Sequence, residues 1–182
     1  LALFPALTSL TAASADQSPP EEKTSPRLEI AFDYRRQNGI ASNQFAVWIE
    51  DALGKHVETL YATRFTASGG WRRRPACLPD WVAAARADTL SSGDVDAITG
   101  ATPSAGRLRY AWDGKDHGGR RVAPGSYRVV VEANLRWDNR VLYRGEIEIG
   151  GPAQILRPDP EFVGDADQAL GMITNVVVRY VP

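Results

Sequence analysis

In several runs from residue 27 onward, apolar side chains recur at every second position, and this alternation constrains the fold more than any other feature of the chain. In Arg27-Leu28-Glu29-Ile30-Ala31-Phe32-Asp33-Tyr34-Arg35, the residues Leu28, Ile30, Phe32 and Tyr34 share one face, and charged residues dominate the other. That period describes a half-buried antiparallel strand, whereas a helix would scatter the same side chains around its axis. The pattern returns at Phe45, Val47 and Ile49, from Val57 to Phe65, and over 107–112, 126–133, 141–149 and 172–181. Turn signals such as Asn38-Gly39 separate the runs. Seven such strands predict an all-β protein, an Ig-like antiparallel β-sandwich.

Composition narrows the function classes. A chain of 182 residues can bury a sizeable core without staples. Its net charge of −1 lacks the basic excess of a nucleic-acid footprint. One cysteine and two histidines exclude an intrachain disulfide and any metal site built from several Cys and His ligands. Neither His56 nor His117 sits in a recognisable nucleophile setting, so no catalytic residue and no self-contained hydrolase is visible.

The first residues speak to compartment. Leu1 to Ala15 carry no charge, and an apolar start leads to Ala13-Ser14-Ala15, as in the tail of a signal peptide with an A-x-A cleavage site. Cleavage after Ala15 is expected, giving an exported, periplasmic protein that begins at Asp16. No other run approaches the ~18 apolar residues that cross a membrane as a helix, so the protein is not expected to span one. Residues 16–26, with Ser18-Pro19-Pro20 and Glu21-Glu22-Lys23, read as a disordered linker. Residues 27–182 then form a single domain.

Residues 66–106 break the strand rhythm and read as an insertion too long for a bland loop. Pro79-Asp80-Trp81-Val82-Ala83-Ala84-Ala85-Arg86 opens with proline and an acid and predicts a short helix. Ser91-Ser92-Gly93-Asp94 reads as a loop. Few period-two apolar residues anchor the insertion, so it is expected to be less protected than the strands around it, above all from Ser91 to Thr102.

The hairpin near residue 115 carries a first resemblance. Trp112-Asp113-Gly114-Lys115-Asp116, followed by Gly119, Val122, Gly125 and Tyr127, resembles the Ig-like module of flagellar hook-capping proteins and implies the same fold. Asp113, Asp116 and Glu132 are oxygen donors that calcium could use, but such a cage needs about 6–8 ligands, so a satisfied turn and no metal is the expectation.

Asp96-Ala97-Ile98-Thr99-Gly100-Ala101-Thr102 is the most informative segment. It resembles the flavinylation signature of FMN-binding subunits in NADH:quinone and Rnf-type electron-transfer complexes. There a flavin transferase splits FAD and joins the FMN phosphate to the last threonine. The resemblance implies Thr102 as the FMN attachment residue, with Asp96, Thr99, Gly100 and Ala101 recognised by the transferase. The residue types suit that job: Gly100 and Ala101 remove bulk beside the acceptor, and a hydroxyl without its own base relies on an outside enzyme. Pro103-Ser104-Ala105-Gly106 departs from the helix that usually follows the signature. A tight turn entering a strand would favour the same residues, and that reading stays open.

From about residue 28 to 150, the order of strands, insert, motif and hairpin is similar to a bacterial predicted-periplasmic-protein family, a domain of unknown function. Members often accompany flavin transferases and PepSY-type membrane redox proteins, which the resemblance therefore implies as partners. Two function classes follow. One is a redox-associated protein with covalent FMN that passes electrons to or from a membrane partner. The alternative is a non-catalytic Ig-like binding or structural module of the envelope. Among the remaining residues, Arg72-Arg73-Arg74 beside Trp71 reads first as a solvated basic turn, the other readings being cations on an aromatic ring or a clamp for a flavin phosphate. Cys77 reads as a partly buried thiol. Trp48, Trp81, Trp112 and Trp137 read as core or rim residues, and 152–171 as a loop.

Overall fold

Nine strands form among the described residues of the computed structural model, which are 27–38, 43–101, 103–136, 138–165 and 171–182. They are β1 Arg27–Tyr34, β2 Gln44–Asp51, β3 His56–Ala62, β4 Gly106–Trp112, β5 Gly125–Arg136, β6 Asn139–Ile149, β7 Gln154–Leu156, β8 Pro160–Val163 and β9 Ile173–Val181. One sheet has the order β4-β1-β9-β7 and the other β3-β2-β5-β6-β8, with antiparallel pairing throughout. The all-β sandwich expected from the period-two pattern is therefore present.

The inner faces meet as the alternation requires. Leu28, Ile30, Phe32 and Tyr34 pack against Phe45, Val47 and Ile49 and against Val129, Val131 and Ala133. Phe32 meets Phe45 edge-on at 5.7 Å, and Phe45 stacks on Tyr61 at 4.8 Å. Such aromatic pairs add to burial by about 0.5–1.5 kcal/mol each. Trp48, Trp81 and Trp112 are all buried, as expected, while Trp137 lies outside the described residues.

The structure corrects three local expectations. The third strand stops at Ala62, and Arg64–Ala67 turns into a helix, α1. The expected helix near residue 80 is present as α2, Pro79–Ala84, but Ser92–Ile98 forms a further helix, α3, where a loop was expected. Its start is a capping box: the Ser91 side chain accepts from the Asp94 N–H, and the Asp94 carboxylate accepts from the Ser91 N–H. The Ser-x-x-Asp spacing was there to be read. Finally, the supposed loop 152–171 supplies β7, which extends one sheet beside β9, and β8, which extends the other beside β6. Residues 166–170 lie outside the described residues.

The insertion is not a loosely anchored excursion. It lays a second apolar layer on the outer face of the larger sheet. Ala46, Trp48, Val130 and Leu142 on that face pack with Leu78, Trp81, Ala87 and Ile98 of the insertion. That is why β2 is buried along nearly its whole length and β5 continuously from Val129 to Leu135, whereas β6 alternates from Arg144 to Ile149. In the basic run, the reading of cations on aromatic rings holds over that of a solvated turn. Arg72 lies 4.7 Å over Trp71, and Arg73 and Arg74 lie over Phe65.

Glu132 joins the two layers. Its side chain is fully buried under α2, where Leu78 at the helix start offers no side-chain cap. The carboxylate takes the capping role from another strand, accepting from the Trp81 N–H at 2.9 Å and the Asp80 N–H at 3.4 Å. Arg140 Nε stands 3.6 Å away.

Cys77 precedes α2 and is buried, not partly exposed. Burial pushes its thiol pKa up, so the nucleophilic thiolate is scarce and shielded. The native protein should resist thiol alkylation near neutral pH and react fully once unfolded. Native labelling at the rate of a free thiol would contradict this packing.

Candidate functional site

The edge where the helical layer meets the sandwich is open and holds a cleft of about 630 Å³. Ligand pockets commonly measure about 300–1,000 Å³. β3 contributes His56, Val57 and Thr59, the insertion contributes Ala84 to Arg86 together with Asp94 and Ile98, and the hairpin turn contributes His117. Both histidines of the chain therefore face one space, although they are far apart in sequence.

The turn is held against β3 by a hydrogen bond from the His117 N–H to the Val57 carbonyl at 3.0 Å. The His117 ring reaches across to the insertion, with Nε2 3.5 Å from Asp94 Oδ1. Asp94 is the reciprocal partner of Ser91 in the α3 capping box, and its hydrogen bonds from Ser91 hold its carboxyl below the usual range. A single carboxylate thus starts a helix and anchors a cleft histidine. His56 lies deeper, with Nε2 2.8 Å from Thr59 Oγ1. Burial, reinforced by the charge of His117, pushes its pKa down to about 4, so His56 is neutral at pH 7. The Trp81 indole N–H donates to the same Thr59 hydroxyl at 3.2 Å, tying α2 to the cleft wall.

The motif sits at the end of α3. Asp96 pairs with Arg64 at 2.8 Å on the exposed side. Thr99 is buried, and its hydroxyl donates to the Val95 carbonyl at 2.8 Å. Gly100 and Ala101 are exposed. A Cβ added at Gly100 would meet nothing within 4 Å, and Gly100 is not among the residues with positive φ. Asp96, Thr99, Gly100 and Ala101 are thus brought together, while Thr102 lies outside the described residues. Asp94 and Ile98 of the same helix line the cleft, so motif and cleft share α3.

Sequence reasoning missed the cleft. The one available signal was that the chain has two histidines and both sit near turns. Asp113, Asp116 and Glu132 are otherwise engaged: Asp113 with Lys115, Asp116 with the Arg120 side chain and N–H, and Glu132 with α2. Among the described residues, no three His, Cys, Asp or Glu side chains gather as a metal-binding set.

Fold and site together define a β-sandwich that carries a helical layer on one sheet and a ligand-sized cleft at their junction. The chain belongs to the family described as "Predicted periplasmic protein (DUF2271)", whose sequence profile matches residues 27–159 of 182. No curated protein and no solved structure matches it. The periplasmic location expected from the first residues agrees with the family's description. The cleavage after Ala15 and the linker 16–26 lie outside the described residues. No helix among the described residues is long and apolar enough to cross a membrane.

Proposed function

We propose that this periplasmic protein is a carrier of covalent FMN attached to Thr102, exchanging electrons with a membrane redox partner of the PepSY type. The observation that supports this reading best is Gly100. Its backbone does not need positive φ, and a side chain there would meet open space. A structural turn gives no reason for glycine at that position, whereas an enzyme that must bring a diphosphate against the backbone does. The surrounding residues also fit the group. The Arg64–Asp96 pair and the buried Thr99 hold the start of the motif, and Gly100 and Ala101 are exposed to an outside catalyst.

In the attachment step, the Thr102 hydroxyl oxygen bonds to the FMN phosphorus of FAD and the pyrophosphate bond to AMP breaks. AMP leaves, and the hydroxyl proton passes to a base of the flavin transferase. Once attached, FMN supplies one- and two-electron chemistry, and the protein supplies position and surroundings.

Protein co-expressed with a flavin transferase should gain the mass of FMN less a water and stay yellow after denaturation. Thr102→Ala should abolish the gain while the circular dichroism spectrum is unchanged. Asp96→Ala should slow modification, and Thr99→Ala should reduce it less than Thr102→Ala does. Unmodified protein beside a flavinylated positive-control substrate would reject the reading and leave the envelope binding module in front.

A further inference from the structure

A flavin tethered next to α3 needs a place for its ring, and the cleft lies on that helix. Ile98 lines the cleft, and Thr102 follows it by four residues, a span of at most about 14 Å of extended chain. The ribityl phosphate lengthens the tether further. The lining suits a flat, largely apolar ring with polar edges. Ala84 and Ala85 add little bulk beside Ile98, and the polar lining is of mixed charge, with Arg86, Lys55 and Arg120 against Asp51, Asp94 and Asp116. Arg86 adopts φ 48° as the left-handed residue that closes α2, where the Ala87 N–H donates to the Val82 carbonyl at 3.0 Å, and this closure sets Arg86 on the cleft wall.

We propose that the cleft bounded by β3, the α2–α3 segment and the His117 turn is the berth of the isoalloxazine ring, with Arg86 and His117 setting its electrostatic environment. This rests on the flavin-carrier reading and adds to it a ring held by the protein and not left in solvent. The Arg86 guanidinium close to the ring favours the anionic reduced flavin and so raises its potential.

The chain supplies its own reporters, because both of its histidines line the cleft. Imidazole ¹H–¹⁵N spectra of flavinylated wild type should differ from those of unmodified Thr102→Ala at both His56 and His117, through the ring current of a neighbouring flavin. Iodide should quench the flavin fluorescence of the native protein several-fold less than that of the unfolded protein. Arg86→Gln should lower the midpoint potential without changing the mass gain. Flavinylated protein with unshifted histidine signals and full iodide quenching would overturn the berth and leave the carrier reading standing. Protein that gains no flavin mass would overturn both.

Discussion

Replacing Trp81 by alanine should cost about 3–5 kcal/mol of folding stability, the range for removing a fully buried tryptophan. Trp81 has no exposed surface and sits between the insertion and the outer face of the larger sheet, in the cluster with Trp48, Val130 and Leu142. Its removal leaves a cavity that a rigid sheet cannot collapse to fill, and it takes away the N–H that Thr59 accepts. Trp81→Phe separates the two effects. It keeps much of the volume and loses the hydrogen bond, which is worth about 1 kcal/mol. Urea unfolding of the three proteins measures the difference directly. A loss under about 1 kcal/mol for Trp81→Ala would mean that the insertion is a dispensable excursion and not a layer of the domain. The substitution should also loosen the cleft, because Ala84 and Ala85 hang from the same helix.

The pH dependence of stability should show two opposed contributions that single substitutions unmask. Burial raises the Glu132 pKa from 4.5 to about 7, against the pull of the Trp81 and Asp80 N–H groups and Arg140. The folded state therefore holds that proton more tightly than the unfolded chain. Stability from this source is complete below about pH 4.5 and is lost as pH rises through about 7. His56 works in the other direction. Its pKa falls from 6.5 to about 4, so its contribution is complete above pH 6.5 and is lost as pH falls towards 4. Each shift corresponds to about 3 kcal/mol. In the wild type the two slopes largely offset each other between pH 4.5 and 6.5. Glu132→Gln keeps an acceptor for α2 but removes one titration, so its stability should rise with pH across that window. His56→Gln should show the reverse, with stability falling as pH rises towards 7. Parallel curves for all three proteins would mean that neither group is buried as described.

The sandwich was legible because strand geometry writes itself into sequence with a period of two. Leu28 to Tyr34, Phe45 to Ile49 and Tyr127 to Ala133 fall on the inner faces that the alternation assigned to them. The start of α2 was legible for a local reason as well, since proline followed by an acid favours a first turn. The motif at the end of α3 was found by its residue types. Its setting, with Thr99 buried and Gly100 in open space, was not visible.

What the sequence alone determined, then, is the set of inner-face strands and a stretch that departs from them. Both are local properties of backbone period and turn chemistry. Tertiary structure decided where that stretch goes and what it builds. The outward residues Ala46, Trp48 and Val130 look like ordinary strand formers until the insertion is seen to cover them. Helices of four to seven residues are too short to stand alone. α2 exists because a carboxyl oxygen 51 residues away in sequence caps it and Trp81 is buried beneath it. The cleft follows from the same long-range contacts. His56, Asp94 and His117 share one space only because β3, α3 and the turn are packed together, and no local pattern encodes the closure of those loops.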